Sequence, residues 1–367
     1  MQKKYLITGI IGLLSGLFSH TVYASIEYKE VDFNDLPGWS CSDQLYAYKA
    51  LISSCNRIIN DNSYTQGWIK SCKLILSTRA TTSKKARQIF KRLFIPYQVI
   101  DNGRDHGLFT GYFEPGINGS LHKTSYYQVP IFGTPPDLVI QNDKNSTKIY
   151  GRMTGNTLIP YYSRREINQI KDFNAPTLAW VHSKAARTFM QIQGSGRIIL
   201  NNGQSILLGY DSQNGQPYRP IGRYFLEKNL ISRENLSMQS IKKWLLEHPL
   251  QQDSILSYDP SFVFFKVLKG LHPFGAEGVA LTPGYSLAID KNFHQYGTPV
   301  WLDTSYDTPT QRNKPLRRLL IAQDTGGAIR GAIRGDVFWG SGKMAEYYAG
   351  HMKQEGKMYI LLPKIRS

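Results

Sequence analysis

Apolar residues recur at helical spacing over the first hundred residues and at strand spacing after them. Leu45, Tyr48, Ile52, Cys55 and Ile59 keep a three-four interval, as do Trp68, Cys72, Ile75 and Leu76, so each stretch predicts an amphipathic helix with a cysteine on its buried face. Ala86, Ile89, Phe90, Leu93 and Phe94 mark a third helix, whose other face carries Lys84, Lys85, Arg87, Lys91 and Arg92 and reads as solvated. From Pro96 onward, short runs rich in Tyr, Phe, Val and Ile are broken by Gly, Pro, Asn and Asp, the texture of an all-β core. Residues 108–113 and 262–267 predict strands, and 319–322 a buried strand that ends at Asp324. Residues 218–228 and 237–247 predict helices, the second with Ser237 as N-cap and Ile241, Trp244 and Leu245 inward. Gly-Ala-Ile-Arg occurs twice at 327–334; glycine at every fourth position suits a helix poorly and predicts strand or bulge. Residues 191–197 alternate polar and apolar and turn at Gly194-Ser195-Gly196, either an ordinary hairpin or a turn that offers amides and a hydroxyl to a polar ligand.

The N-terminus changes the picture of where the chain works. Met1 to Lys4 is basic, residues 5–18 carry no charge, and Val22-Tyr23-Ala24 supplies small residues before a cut, which predicts a cleaved signal over residues 1–24 and Ser25 as the first mature residue. An uncleaved anchor is the competing reading, and the short run suits it less. No cysteine lies near residue 25, so no lipid anchor is predicted; the expectation is an exported protein of the periplasm, or one peripheral at the outer membrane.

The net charge of +17, from 44 Lys and Arg against 27 Asp and Glu, then points to an anionic surface or polymer such as an acidic glycan or lipid headgroups. Nucleic acid is disfavoured by export, by the spread of basic residues and by the lack of a binding motif. Three cysteines sit at Cys41, Cys55 and Cys72. Export implies an oxidising compartment, so a Cys55–Cys72 disulfide across the two helices is expected, with Cys41 free or paired elsewhere; the competing view makes all three small core hydrophobes.

The candidate chemistry is carboxylate chemistry. Asp324 and Asp336 each stand where a hydrophobic run meets glycine, although a lone Asp there more often caps a turn. Phe109-Thr110-Gly111-Tyr112-Phe113-Glu114-Pro115 combines aromatic rings, a strand glycine and a carboxylate, the parts from which sugar sites are made and equally those of a core strand. No serine elbow, zinc-ligand spacing or phosphate-cradling loop is present, so no cofactor or metal is expected.

Taken together, these segments resemble the lytic murein transglycosylase A (MltA-like) family over roughly residues 38–363. Thr110-Gly111-Tyr112-Phe113-Glu114-Pro115, Pro160-Tyr161-Tyr162-Ser163-Arg164, Gln193-Gly194-Ser195-Gly196 and Pro260-Ser261-Phe262-Val263-Phe264-Phe265 occur in the family's order. A C-terminal module named for three aspartates follows, here Asp290, Asp324 and Asp336. The resemblance implies a mainly β protein: a double-psi β-barrel domain with N-terminal helices, formed by residues 25–115 together with 267–367, and a second β-rich domain inserted at 116–266, with a glycan groove between them. It implies peptidoglycan glycan strands as substrate, Asp336 as sole acid and base, and Asp324 and Asp290 as supporting groups. Thr110, Tyr112, Gln193 and Ser195 become candidates for glycan contacts, and proteins of wall synthesis or remodelling become candidate partners. Two other readings stay open: a glycoside hydrolase on the same barrel, with Asp324 or Glu114 activating water, and a non-catalytic wall-binding protein.

Overall fold

The structure, a computed structural model, describes residues 26–142, 148–270 and 272–364, so the expected signal at 1–24 lies outside the described residues. Six strands close a barrel: β1 (Gly107–Glu114), β2 (Ser286–Ile289), β3 (Pro299–Tyr306), β4 (Lys314–Asp324), β5 (Arg334–Ser341) and β6 (Lys353–Pro363). The ring runs β1–β5–β2–β4–β3–β6 and returns to β1; β1–β5 and β2–β4 are parallel and the other pairs antiparallel. This is the mainly β, double-psi type of barrel that the resemblance implies. β6 closes it by length, pairing Ile360 with Val300 at one end and Lys353 with Thr110 at the other.

Phe109, Leu287, Ile289, Val300, Leu302, Leu320, Val337 and Ile360 fill the interior. The unbroken apolar run at 319–322 follows from burial on both faces of β4. Leu320 and Ala322 belong to the interior, whereas Leu319 and Ile321 join Trp301 in a second core under the N-terminal helices. Those helices are α1 (Leu45–Ile58), α2 (Gln66–Ser77) and α3 (Ser83–Leu93). Cys55 and Cys72 are joined between α1 and α2 with their Cα atoms 4.9 Å apart, and Cys41 is free and exposed. α3 buries Ala86, Ile89, Phe90 and Leu93 and leaves its lysines in solvent; Arg87 instead donates to Ser42 O at 3.0 Å and Gln44 Oε1 at 3.2 Å.

A separate six-stranded sheet has the order Val263–Val267, Ser205–Gln213, Ser195–Leu200, Gly116–Ser120, Thr177–Val181, Val129–Phe132. No strand is shared with the barrel, and the chain passes from one sheet to the other at Glu114-Pro115-Gly116. A three-stranded sheet, Val139–Asn142, Lys148–Thr154 and Thr157–Pro160, stands beside it in sequence. Helices Ile221–Glu227 and Met238–Glu247 form where expected, and Ser237 caps the second by accepting from the Ser240 amide at 3.1 Å.

Two local expectations fail. Residues 191–197 are no hairpin: helix Lys184–Gln193 ends at Gly194, whose φ of 76° makes a left-handed cap, and strand Ser195–Leu200 starts at once. The polar-apolar alternation spanned a helix end and a strand start. Residues 327–333 form a loop rather than a strand, with Gly331 at φ 112°, and β5 begins only at Arg334.

Candidate active site

Strand register assembles the site. Thr110 on β1 pairs with Asp336 on β5, Asp336 with Ala288 on β2, and Ala288 with Asp324 on β4. Paired residues present side chains to the same face, and their neighbours Phe109, Leu287 and Val337 fill the barrel, so this row faces outward. Asp324 reaches the row through a bulge: the partner of Leu287 is Ala322, that of Ala288 is Asp324, and Gln323 is the extra residue. Gln323 is fully buried on the other side, donating to Ala50 O and to Ser54 Oγ of α1, both at 3.0 Å.

The three aspartates are held very differently. Asp324 has both oxygens engaged: Oδ1 accepts from the amides of Ala276 and Thr325, each at 2.9 Å, and Oδ2 from the Tyr112 hydroxyl at 2.8 Å. The Ala276 amide gets this close because Gly275 precedes it; a Cβ there would lie 2.2 Å from Gln323 O. Asp290 is buried and also has both oxygens engaged, accepting from Asn292 N at 3.1 Å and Gly331 N at 2.9 Å. It touches neither other aspartate in this way but pins the loop that joins Asp324 to Asp336. Asp336 accepts from Thr110 Oγ1 at 2.6 Å through Oδ1 alone, and no donor among the described residues reaches its Oδ2. Arg334 Nη2 donates to the same Thr110 oxygen at 2.8 Å, which orients the hydroxyl toward Asp336.

Burial pushes the Asp336 carboxyl above the usual carboxylate range, against the opposing pull of the Arg334 charge and the Thr110 hydrogen bond. Asp324 is pushed up to about 6, first by burial, against its three donors, with a further push from the charge of Asp336. Burial and then the neighbouring Asp324 raise the Tyr112 hydroxyl well above its ordinary value, so it remains a donor. The Tyr112 ring is 8% exposed and packs on Phe338 at 5.2 Å, so its hydroxyl, not its face, serves the site.

Gln193 and Ser195 separate. Gln193, the last residue of its helix, accepts from the Phe113 amide at 3.0 Å through Oε1 and so reaches β1 beside Tyr112, and among the described residues its Nε2 has no acceptor. Ser195 is buried, paired opposite Gly209 in the second sheet, and makes no hydrogen bond to an aspartate among the described residues.

Two residues escaped the sequence reading. Arg334 stands two before Asp336 on one strand, so period-two alternation alone would have put it on the same face. Tyr218 carried no such signal. It comes from the loop after strand Ser205–Gln213, its Cβ lies 3.8 Å from where a Cβ on Gly327 would be, and its hydroxyl is raised by burial, then Asp259, then Asp336. The loop that follows this strand thus approaches the aspartate row. Among the described residues no three His, Cys, Asp or Glu side chains converge as a metal site, and no helix is long and apolar enough to cross a membrane.

The barrel with its aspartate row defines a class of protein carrying a 3D domain, whose family model matches residues 285–362, and the MltA specific insert domain matches residues 108–266. The crystal structure of MltA from Neisseria gonorrhoeae in its monoclinic form is 33% identical, with a TM-score of 0.80 over 93% of this chain and 94% of that one. The membrane-bound lytic murein transglycosylase of Agrobacterium tumefaciens is 29% identical, with a TM-score of 0.83 over 93% of this chain and 98% of that one. The chain belongs to the MltA family. The membrane-bound lytic murein transglycosylase A of Vibrio cholerae serotype O1 is 30% identical over 259 residues, 69% of this chain. The chain spans 65% of the length of that curated relative.

Proposed function

We propose that this chain is a peptidoglycan lytic transglycosylase in which Asp336 is the single acid and base. The observation that carries this reading is the open Oδ2 of Asp336, the one carboxylate oxygen among the three aspartates that takes no donor from the described residues. A glycan laid over the row would exclude water from Asp336 and raise its carboxyl further, favouring the protonated form that the first step needs. Asp336 then gives its proton to the β-1,4 oxygen between N-acetylmuramic acid and N-acetylglucosamine, and the C1–O bond breaks with oxocarbenium character on the muramyl ring. The same carboxylate, now ionised, takes the proton of that sugar's C6 hydroxyl as its oxygen bonds to C1. No water is consumed, and the new end is a 1,6-anhydromuramyl residue. An internal nucleophile removes the need for a second carboxylate to activate water, and Asp324, with both oxygens already engaged, is poorly placed to be one.

In this reading residues 25–115 with 267–367 are the catalytic barrel domain and 116–266 the substrate domain. The glycan lies between them, against Thr110, Tyr218 and the side-chain amide of Gln193. Asp324 and Asp290 hold the loops that frame Asp336. Cleavage of residues 1–24 would deliver the protein to the periplasm, where its charge of +17 favours an anionic wall or membrane surface.

Mass spectrometry of soluble products from purified peptidoglycan tests this, with Asp336→Asn as control. Anhydromuramyl ends, ~18 Da lighter than hydrolytic ends for want of one water and absent with the variant, are the expected result. Reducing ends would instead require a hydrolase, and no products a wall-binding protein.

A further inference from the structure

Beside the aspartate row lies a cavity of about 390 Å³ whose wall includes Arg104, His106, Leu108, Arg330, Ile333 and Arg334, with Asp101 as its one acidic residue. None of its three arginines forms an ion pair among the described residues. Arg330 donates only to the backbone oxygens of Gly326 at 3.1 Å and Ile329 at 2.8 Å, and Arg334 to those of Leu108 and Gly335 and to Thr110. Arg104 is exposed. His106 is paired with Asp105, which also takes Lys357 at 2.8 Å. Arg334 is turned to Thr110 and lies near the charge of Asp336, which leaves Arg104 and Arg330 as an excess of positive charge over Asp101 at this wall; that excess favours an anion, and planar guanidinium forks fit a carboxylate. Leu108, 39% exposed, and Ile333 add an apolar wall suited to short aliphatic side chains. Leu108 and Arg334 each stand two residues before Thr110 and Asp336 on β1 and β5, about 7 Å away along the strands.

We propose that this cavity receives a carboxylate of the stem peptide borne by the muramyl residue whose bond Asp336 breaks. The inference rests on the transglycosylase reading. A peptide attached through the lactyl group of that sugar starts beside the reacting carbon, and a carboxylate a residue or two along it spans the distance to Arg104 and Arg330.

The test compares initial rates on peptide-bearing glycan strands and on strands stripped of peptide by an amidase. Arg104→Gln and Arg330→Gln, together, are expected to lower kcat/KM roughly tenfold or more on peptide-bearing strands, by loss of charge-assisted hydrogen bonds, and to leave stripped strands unchanged. Equal loss on both substrates, or loss on neither, overturns the proposal. Calorimetric titration of Asp336→Asn protein with a soluble stem tetrapeptide supplies a second readout that does not need turnover. Binding that disappears in the arginine variants supports the cavity's role, and binding that is absent or unaltered overturns it. If wild-type protein releases no anhydro ends from either substrate, the transglycosylase reading itself fails, and the titration still decides whether the cavity takes the peptide.

Discussion

Thr110 donates its hydroxyl to Oδ1 of Asp336 at 2.6 Å, across two parallel strands whose residues are 226 positions apart in the chain. One oxygen is thereby fixed, and no donor among the described residues reaches the other. Replacing Thr110 with Val keeps the branched shape and deletes the donor. A hydrogen bond to a charged group is worth about 1.5–3 kcal/mol, so kcat should fall roughly 10- to 100-fold with KM little changed. Steady-state turnover of peptidoglycan, alongside circular dichroism to show an intact fold, measures this. A change in KM alone would confine Thr110 to contact with the glycan and remove its role in orienting Asp336.

Tyr112→Phe addresses Asp324. The phenol stabilises the ionised form of that carboxylate, so its removal should raise the Asp324 pKa above about 6. Carbon-detected NMR of the Asp324 carboxyl through a pH titration reads the shift. An unmoved midpoint would show that the two backbone amides alone set its charge.

Glu277 is 1% exposed and its carboxyl is pushed up to about 7 by burial, although Ser54 donates to it at 2.7 Å. Because the folded state holds this proton more tightly than the unfolded chain, with its ordinary value of 4.5, the stability it contributes is complete below about pH 4.5 and lost as pH rises through about 7. The whole loss is about 3 kcal/mol. Glu277→Gln should therefore gain on wild type in urea unfolding between pH 5 and pH 8. Parallel stability curves for the two proteins would rule the effect out.

The Cys55–Cys72 bridge closes a loop with a sequence separation of 17. Intact-mass analysis with alkylation should find one reactive thiol, Cys41, before reduction and three after it. Reduction should lower stability by about 3 kcal/mol, the scale expected for a loop of this size. Three reactive thiols in the unreduced protein would remove the bridge.

The amphipathic helices, the buried run at 319–322 and the Ser237 cap were legible because each depends on residues within a turn or two of one another. The failures were local as well. At 191–197 a helix end abuts a strand start, and the seven residues hold too few periods to separate the two; at 327–333 the repeated glycines mark a loop whose course is set by the amide of Gly331 on Asp290.

By itself, then, the sequence determined the helical N-terminal segment, the β-rich remainder and the candidate aspartates, all of which rest on periodicity and on motifs read along the chain. Only the tertiary structure decided that Gln323 bulges so that Asp324 joins the row, that Arg334 sets the Thr110 hydroxyl, and that Tyr218 approaches from a loop outside the barrel. It also decided that, of the three aspartates, Asp336 alone has an oxygen that no donor among the described residues reaches. Those relations depend on the register of strands brought together by barrel closure. Side-chain periodicity says which face a residue takes, and it carries no information about which distant strand will lie beside it.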